Sequence, residues 1–135
     1  MTMRIGELAD RASVSTKTIR YYESVGLVPE PVRTASGYRD YDESAAERLR
    51  FIRDAQATGL SLAEIQSVLE LKDAGRNSCA HTKSLLDRHL AELDAQIARL
   101  VAARAELVQL AARAGELDPA DCTDANRCQV IDLDP

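Results

Sequence analysis

Residues 13–26 read SVSTKTIRYYESVG, and the fold of the N-terminal half turns on how that stretch is divided. Ser13 or Ser15 can accept hydrogen bonds from the free amides that open a helix. Gly26 is a natural stop, because glycine adopts the left-handed conformation that ends a helix without a Cβ clash. A short helix is therefore predicted between them. Upstream, Ile5, Leu8, Ala9 and Ala12 fall on one face of an earlier helix. Helix, short turn and helix within about 22 residues is helix-turn-helix spacing.

Working outward, LVPEPVRTASGYRDYD (27–42) carries Pro29, Pro31 and Gly37. Proline forbids a continuous helix there, so two short extended pieces around a Ser36-Gly37 turn are predicted, a small β-wing. Asp42 can cap a third helix in which Ala46, Leu49, Ile52 and Arg53 recur at helical spacing. TGLSLAEI then reads as a stop at Gly59, followed by a capping box of Ser61 with Glu64 that opens a fourth helix to about Leu71. DAGRNS (73–78) has the look of a hinge.

Beyond the hinge a single long helix is predicted, roughly from Thr82 to Ala114. Leu86, Leu93, Leu100 and Leu107 fall seven apart, and Leu90, Ile97, Arg104 and Ala111 form the interleaved row. Together they make a coiled-coil seam. A helix of roughly 30 residues is ~45 Å long, too long to bury that stripe against the small N-terminal half. A second copy of the chain is the simplest partner.

Composition sets the outer bounds. With 135 residues, no Trp and one Phe, the core must be mostly Leu, Ile, Val and Ala, which favours helices. No apolar run approaches the roughly 20 residues that span a bilayer. MTMRIGELADRAS lacks the apolar middle of a signal peptide, so a cytoplasmic location is expected. The net charge of −5 is held entirely in 116–135, where Glu116, Asp118, Asp121, Asp124, Asp132 and Asp134 face only Arg127. Residues 11–53 carry eight Lys or Arg against six acids, a locally basic segment compatible with nucleic-acid binding. Three cysteines remain, Cys79 in NSCAHT and the pair in CTDANRC (122–128). An odd count in a reducing compartment argues against a disulfide framework. Inert thiols, a redox pair and a soft-metal site stay open. The C-x-x-C of redox enzymes is absent, as is any set of nucleophile, base and orienting group, so no enzyme is expected.

RIGELADRASVSTKTIRYYESVGLVPEPVR, then SGYRDYDESAAERLRFI, then TGLSLAEI, in that order and spacing over residues 3–70, resemble the MerR family of bacterial transcription regulators. The fold then expected is mainly α: a winged helix-turn-helix DNA-binding domain (1–72), a hinge and the start of the dimer helix (73–81), an antiparallel coiled-coil dimerisation helix (82–114), and a metal-binding loop with an acidic tail (115–135). The second helix of such a unit enters the major groove with its N-terminal side chains on base edges. Here those are Thr16, Lys17 and Thr18, with Arg20 one turn along. The resemblance implies that Arg20 and Tyr21 contact phosphate or bases, that Tyr22 leans toward the core, and that Tyr38 and Arg39 of the wing meet the phosphate backbone. Simple packing is the competing reading for Tyr22 and Tyr41. A solvated helix face is the plain reading for Arg48, Arg50 and Arg53, and it is the one expected at Arg48 and Arg50. Promoter DNA, a second copy of the chain and RNA polymerase are the implied partners. Family members typically bend and untwist promoters whose two elements are spaced too far apart.

The resemblance also bears on the cysteines. Cys122 and Cys128 match a loop pair in metal sensors of the family. Cys79 matches a cysteine at the start of the dimer helix, supplied by the other subunit in sensors of soft divalent ions. Cys79 sits where the helix dipole favours an anion. Three soft sulfurs suit Hg, Cd or Pb, while Zn prefers a fourth ligand, for which His81 is the first candidate, ahead of Asp121, Asp124 or water. His89 reads as structural. A Cu(I)-type or redox-responsive regulator using Cys122 and Cys128 alone is the alternative. The C-x5-C spacing is shorter than in such sensors, and the interval from Cys79 to Cys122 is longer. GELDPAD (115–121) is thus either more helix or an added arm, and Gly115 with Pro119 favours the arm.

Overall fold

A computed structural model describes residues 2–132; Asp134 and the last three positions of the expected 115–135 segment lie outside them. The elements, in order, are α1 (Ile5–Ala12), α2 (Thr16–Ser24), β1 (Val32–Arg33), β2 (Arg39–Asp40), α3 (Glu43–Ala57), α4 (Leu62–Asp73), α5 (Cys79–Glu116) and a 3₁₀ turn at Pro119–Asp121. They fall into two units, Met1–His89 and Leu90–Pro135.

In the first unit the helix ends are set by local chemistry. Ser15 accepts from the Thr18 amide and so caps α2. Ser13 does the opposite job. It closes α1 in the left-handed region at φ 56°, with its N–H turned back on Ala9 and Asp10. The two serines thus divide the turn between them. Gly26 follows α2 at φ 82°. Asp42 caps α3 through the Ala45 amide. Ser61 and Glu64 form the full reciprocal capping box of α4. Among the described residues Leu8, Ile19, Leu27, Leu49, Ile52 and Ile65 are the largest fully buried side chains, and Leu85 of α5 joins the same core. Ala9 and Ala12 from the α1 face are buried with them, while Ile5 packs at the edge.

β1 and β2 pair antiparallel, Val32 opposite Asp40 and Arg33 opposite Arg39. The turn closes through Thr34 N–H to the Tyr38 carbonyl at 2.7 Å and Gly37 N–H to the Thr34 carbonyl at 2.9 Å. Met3 and Tyr41 add one bridge at the wing's base.

In the second unit, α5 carries Leu90, Leu93, Ile97, Leu100 and Leu107 with more than half of each side chain exposed. The helix runs from Cys79 to Glu116, so its first residues fall inside the 73–81 segment expected to open it. It starts at Cys79 because the Asn77 side chain accepts the Cys79 amide at 2.8 Å. Gly115 fails to stop it: glycine weakens a helix by about 1 kcal/mol but does not forbid one. The chain turns out only at Asp118, whose carboxylate caps the Pro119–Asp121 turn. Among the described residues no helix is long and apolar enough to cross a membrane.

Candidate nucleic-acid interface and metal centre

α2 presents two faces. Ile19 and Tyr22 point into the core, and the Tyr22 hydroxyl donates to Gln56 Oε1 of α3 at 3.2 Å. Lys17, Arg20 and Tyr21 are exposed, while Thr16 and Thr18 are half-buried at the capped start. The Thr18 hydroxyl is held 2.8 Å from Ser15 Oγ. Five of the expected interface residues therefore share one helix, and none is spent on the core.

The wing is more tied than the sequence indicates. Tyr38 is half-exposed, with the Arg4 guanidinium 4.1 Å from its ring centroid. Arg33 donates to the Gly37 carbonyl at 3.0 Å across the turn. Arg39 has less freedom than a phosphate contact alone would give it: Nη1 lies 2.9 Å from Glu23 Oε2 at the end of α2. Nη1 is buried, and the contact is an ion pair rather than a hydrogen bond. Tyr41 is buried and donates its hydroxyl to Glu23 Oε1. Burial, reinforced by the Glu23 carboxylate, pushes its pKa up to about 12. Nothing in the sequence flagged Arg4, Arg33 or Glu23. Each acts on a partner reached only through the fold or the turn.

Arg48 corrects an expectation. It is no solvated side chain: Nε donates to the Leu27 carbonyl at 2.6 Å, and its two terminal nitrogens reach the Asp73 carboxylate at 2.7 and 3.1 Å. The Arg48 hydrogen bond holds the Asp73 carboxyl below its usual range. Arg50 pairs with Glu43 at 3.0 Å, half-exposed on both sides. Arg53 donates to the Ala12 carbonyl at 3.3 Å.

Both histidines lean from α5 onto α4. His81 Nε2 lies 2.7 Å from Ser67 Oγ. His89 Nε2 donates to the two Glu64 oxygens at 2.9 and 3.1 Å. The Ser61 amide first, and His89 after it, hold the Glu64 carboxyl at about 2.

Cys79, Cys122 and Cys128 are free and exposed. Cys79 opens α5. Cys122 closes the 3₁₀ turn with its amide on the Pro119 carbonyl at 3.2 Å. The Cys128 carbonyl accepts from Ile131 and Asp132 at 3.1 and 2.9 Å. The loop between Cys122 and Cys128 has local order. Asp124 caps its own turn at the Asn126 amide, Arg127 pairs with Asp132, and Gln129 donates to the Asp118 carbonyl at 3.1 Å. Among the described residues of one chain, no three His, Cys, Asp or Glu side chains come together to hold a metal ion. The donor set still fits a soft ion by its chemistry, since all three thiols are unbonded and reachable.

Comparison with known proteins bears on the family and the fold. The model of the MerR helix-turn-helix regulatory proteins matches residues 3–72, and that of the MerR DNA-binding region matches residues 46–110. A probable heavy metal-dependent transcriptional regulator of Haemophilus influenzae is 46% identical over 98 residues, covering 73% of this chain and 77% of the relative. The lead(II) complex of the transcription regulator PbrR691 from Ralstonia metallidurans superposes with a TM-score of 0.70 at 36% identity, over 94% of this chain and 92% of that one. The mercury(II) complex of the regulator MerR from Bacillus megaterium gives a TM-score of 0.62 at 31% identity, over 96% of both chains.

Proposed function

Given that the chain belongs to the MerR family of helix-turn-helix regulatory proteins, we propose that it is a homodimeric transcriptional regulator responsive to a soft divalent metal ion. α2 enters the major groove of promoter DNA, with Thr16, Lys17, Thr18, Arg20 and Tyr21 toward bases and phosphates. Tyr38 and Arg39 bring the wing to the backbone. Two such units on a dimer call for a two-fold operator. The effector-bound dimer distorts that DNA so that RNA polymerase can use it, switching on metal-resistance genes.

The observation that carries this reading is the bare apolar row of α5 with free cysteines before and after it. Pairing two such helices antiparallel covers the row. It also brings Cys122 and Cys128 of one chain toward the partner's Cys79. These three thiolates would hold Hg, Cd, Pb or Zn, with His81 as the candidate fourth ligand if it leaves Ser67. When bound, such an ion supplies a cross-link between the subunits.

The test is an anaerobic titration of the reduced protein with Hg(II), Cd(II), Zn(II), Pb(II) and Cu(I), followed by thiolate-to-metal absorption, in wild type and Cys79→Ser. Saturation by one divalent ion that the variant loses is the expected result. Tight binding of Cu(I) alone, indifferent to Cys79, would make this a copper-type sensor built on Cys122 and Cys128. No binding by any ion would end the metal reading.

A further inference from the structure

Glu23 ends the IRYYE stretch and has no part in the function proposed above. Its side chain is only 5% exposed. Burying a carboxylate is costly unless it is paired, and here it is paired twice, both times with the GYRDY stretch of the wing. One oxygen takes the Tyr41 hydroxyl and the other faces Arg39 at 2.9 Å. The two most distinctive stretches of the N-terminal half are thus joined through one side chain.

The wing needs such a tie. Its strands are two residues each, and an isolated hairpin that short does not hold its own angle. Met3 anchors the strand base and Arg4 stacks on Tyr38, but both precede α1. Glu23 ties the wing directly to α2. A well-packed apolar side chain would serve stability as well as a buried ion pair. What the charged arrangement adds is direction. With Nη1 paired to Glu23, the Arg39 side chain, still 31% exposed, is kept beside the end of α2.

We propose that Glu23 is a positioning residue for operator recognition, setting the wing at the angle from which Arg39 and the α2 side chains engage one DNA site together. The proposal rests on the DNA-binding reading. It acts through Arg39 and Tyr41; Glu23 itself touches no DNA.

The sign of the effect separates this role from a generic one. Removing an acid beside a DNA-binding face, with nothing else changed, strengthens binding to every sequence alike. A lost positioning contact instead weakens the preferred site selectively. The experiment uses the full chain and a duplex that the wild type enriches from a random-sequence pool, with a scrambled duplex of equal length as control. Fluorescence anisotropy is read at several salt concentrations, and folding is checked by circular dichroism melts. For Glu23→Gln, affinity for the selected duplex should fall roughly tenfold, while that for the scrambled duplex holds or rises. Tyr41→Phe keeps the buried ring and removes only the donor, and should lower the preference roughly threefold. If Glu23→Gln folds and the ratio of the two affinities does not move, the proposal is wrong while the regulator reading stands. If Glu23→Gln does not fold, Tyr41→Phe decides, and an unmoved ratio there overturns the proposal. A wild-type chain that enriches no duplex removes the DNA-binding reading and this proposal with it.

Discussion

Arg48 shows how much one side chain can do when it is not left in water. Its side chain is 15% exposed, and it satisfies the Leu27 carbonyl just after α2 while pinning the end of α4 through Asp73. The Asp73 pair is open to solvent on one side and is worth little by itself. The bond to the buried segment at Leu27 and Val28 is the one that matters. Arg48→Ala should lower the unfolding free energy by about 2 kcal/mol, as expected for a charge-assisted hydrogen bond whose acceptor is left dry. Arg48→Lys should recover little, since an ammonium cannot fork between two acceptors. Urea denaturation of the three proteins is the check, and a loss below about 0.5 kcal/mol for Arg48→Ala would return it to the surface class. Helix caps were legible at this scale, because Ser15, Asp42 and Ser61 each bond an amide three residues on. Arg48 was not legible: its partners are 21 and 25 residues away. An arginine on a helix shows nothing of which carbonyl the fold will bring to it.

Elements come next, and the junction of α4 with the start of α5 carries a pH signature. Ser61, Glu64 and His89 form one network. The Glu64 carboxyl is held at about 2 against an ordinary 4.5. The folded chain thus takes up that proton less readily than the unfolded chain does. The resulting stability is complete above the unfolded value and is lost as pH falls through the folded one. Wild type and Glu64→Gln should therefore differ most near neutral pH and converge between about pH 4.5 and 2. Parallel stability curves across that window would show that Glu64 does not contribute through its charge. The capping box itself was readable from SLAE, but His89 as its third member was not, because the sequence places it on the next helix. The last turn of α5 was harder to read for a related reason. Asn77 accepts the Cys79 amide at its start, whereas Gly115, the more conspicuous signal near its end, only lowers helix propensity.

For the whole molecule the decisive fact is the uncovered stripe on α5. Leu93 is 53% exposed and Leu100 70% exposed, a poor arrangement for a monomer, since contiguous apolar surface seeks a partner. Charged substitution at both positions, Leu93→Glu with Leu100→Glu, should leave the N-terminal fold intact and yield monomers by sedimentation. The same variant should lose metal binding through Cys79 if that cysteine serves the partner's loop. Sedimentation as a dimer would mean that other residues form the interface. The heptad spacing announced this stripe. The proposed cysteine site rests on kinship, because no spacing within one chain shows where a second chain would set its thiol.

The contacts among Glu23, Arg39 and Tyr41 also limit how freely parts of this protein can be exchanged. Retargeting a helix-turn-helix protein by grafting a foreign second helix treats that helix as a self-contained reading head. Here its last turn is also half of a fastening whose other half lies beyond two prolines. A graft over residues 15–24 that replaces the exposed row but drops the acid at position 23 would import the new contacts and loosen the wing meant to work beside them. Transplants that keep Glu23, or move the helix and the wing as one cassette, are the ones with a coherent surface to offer.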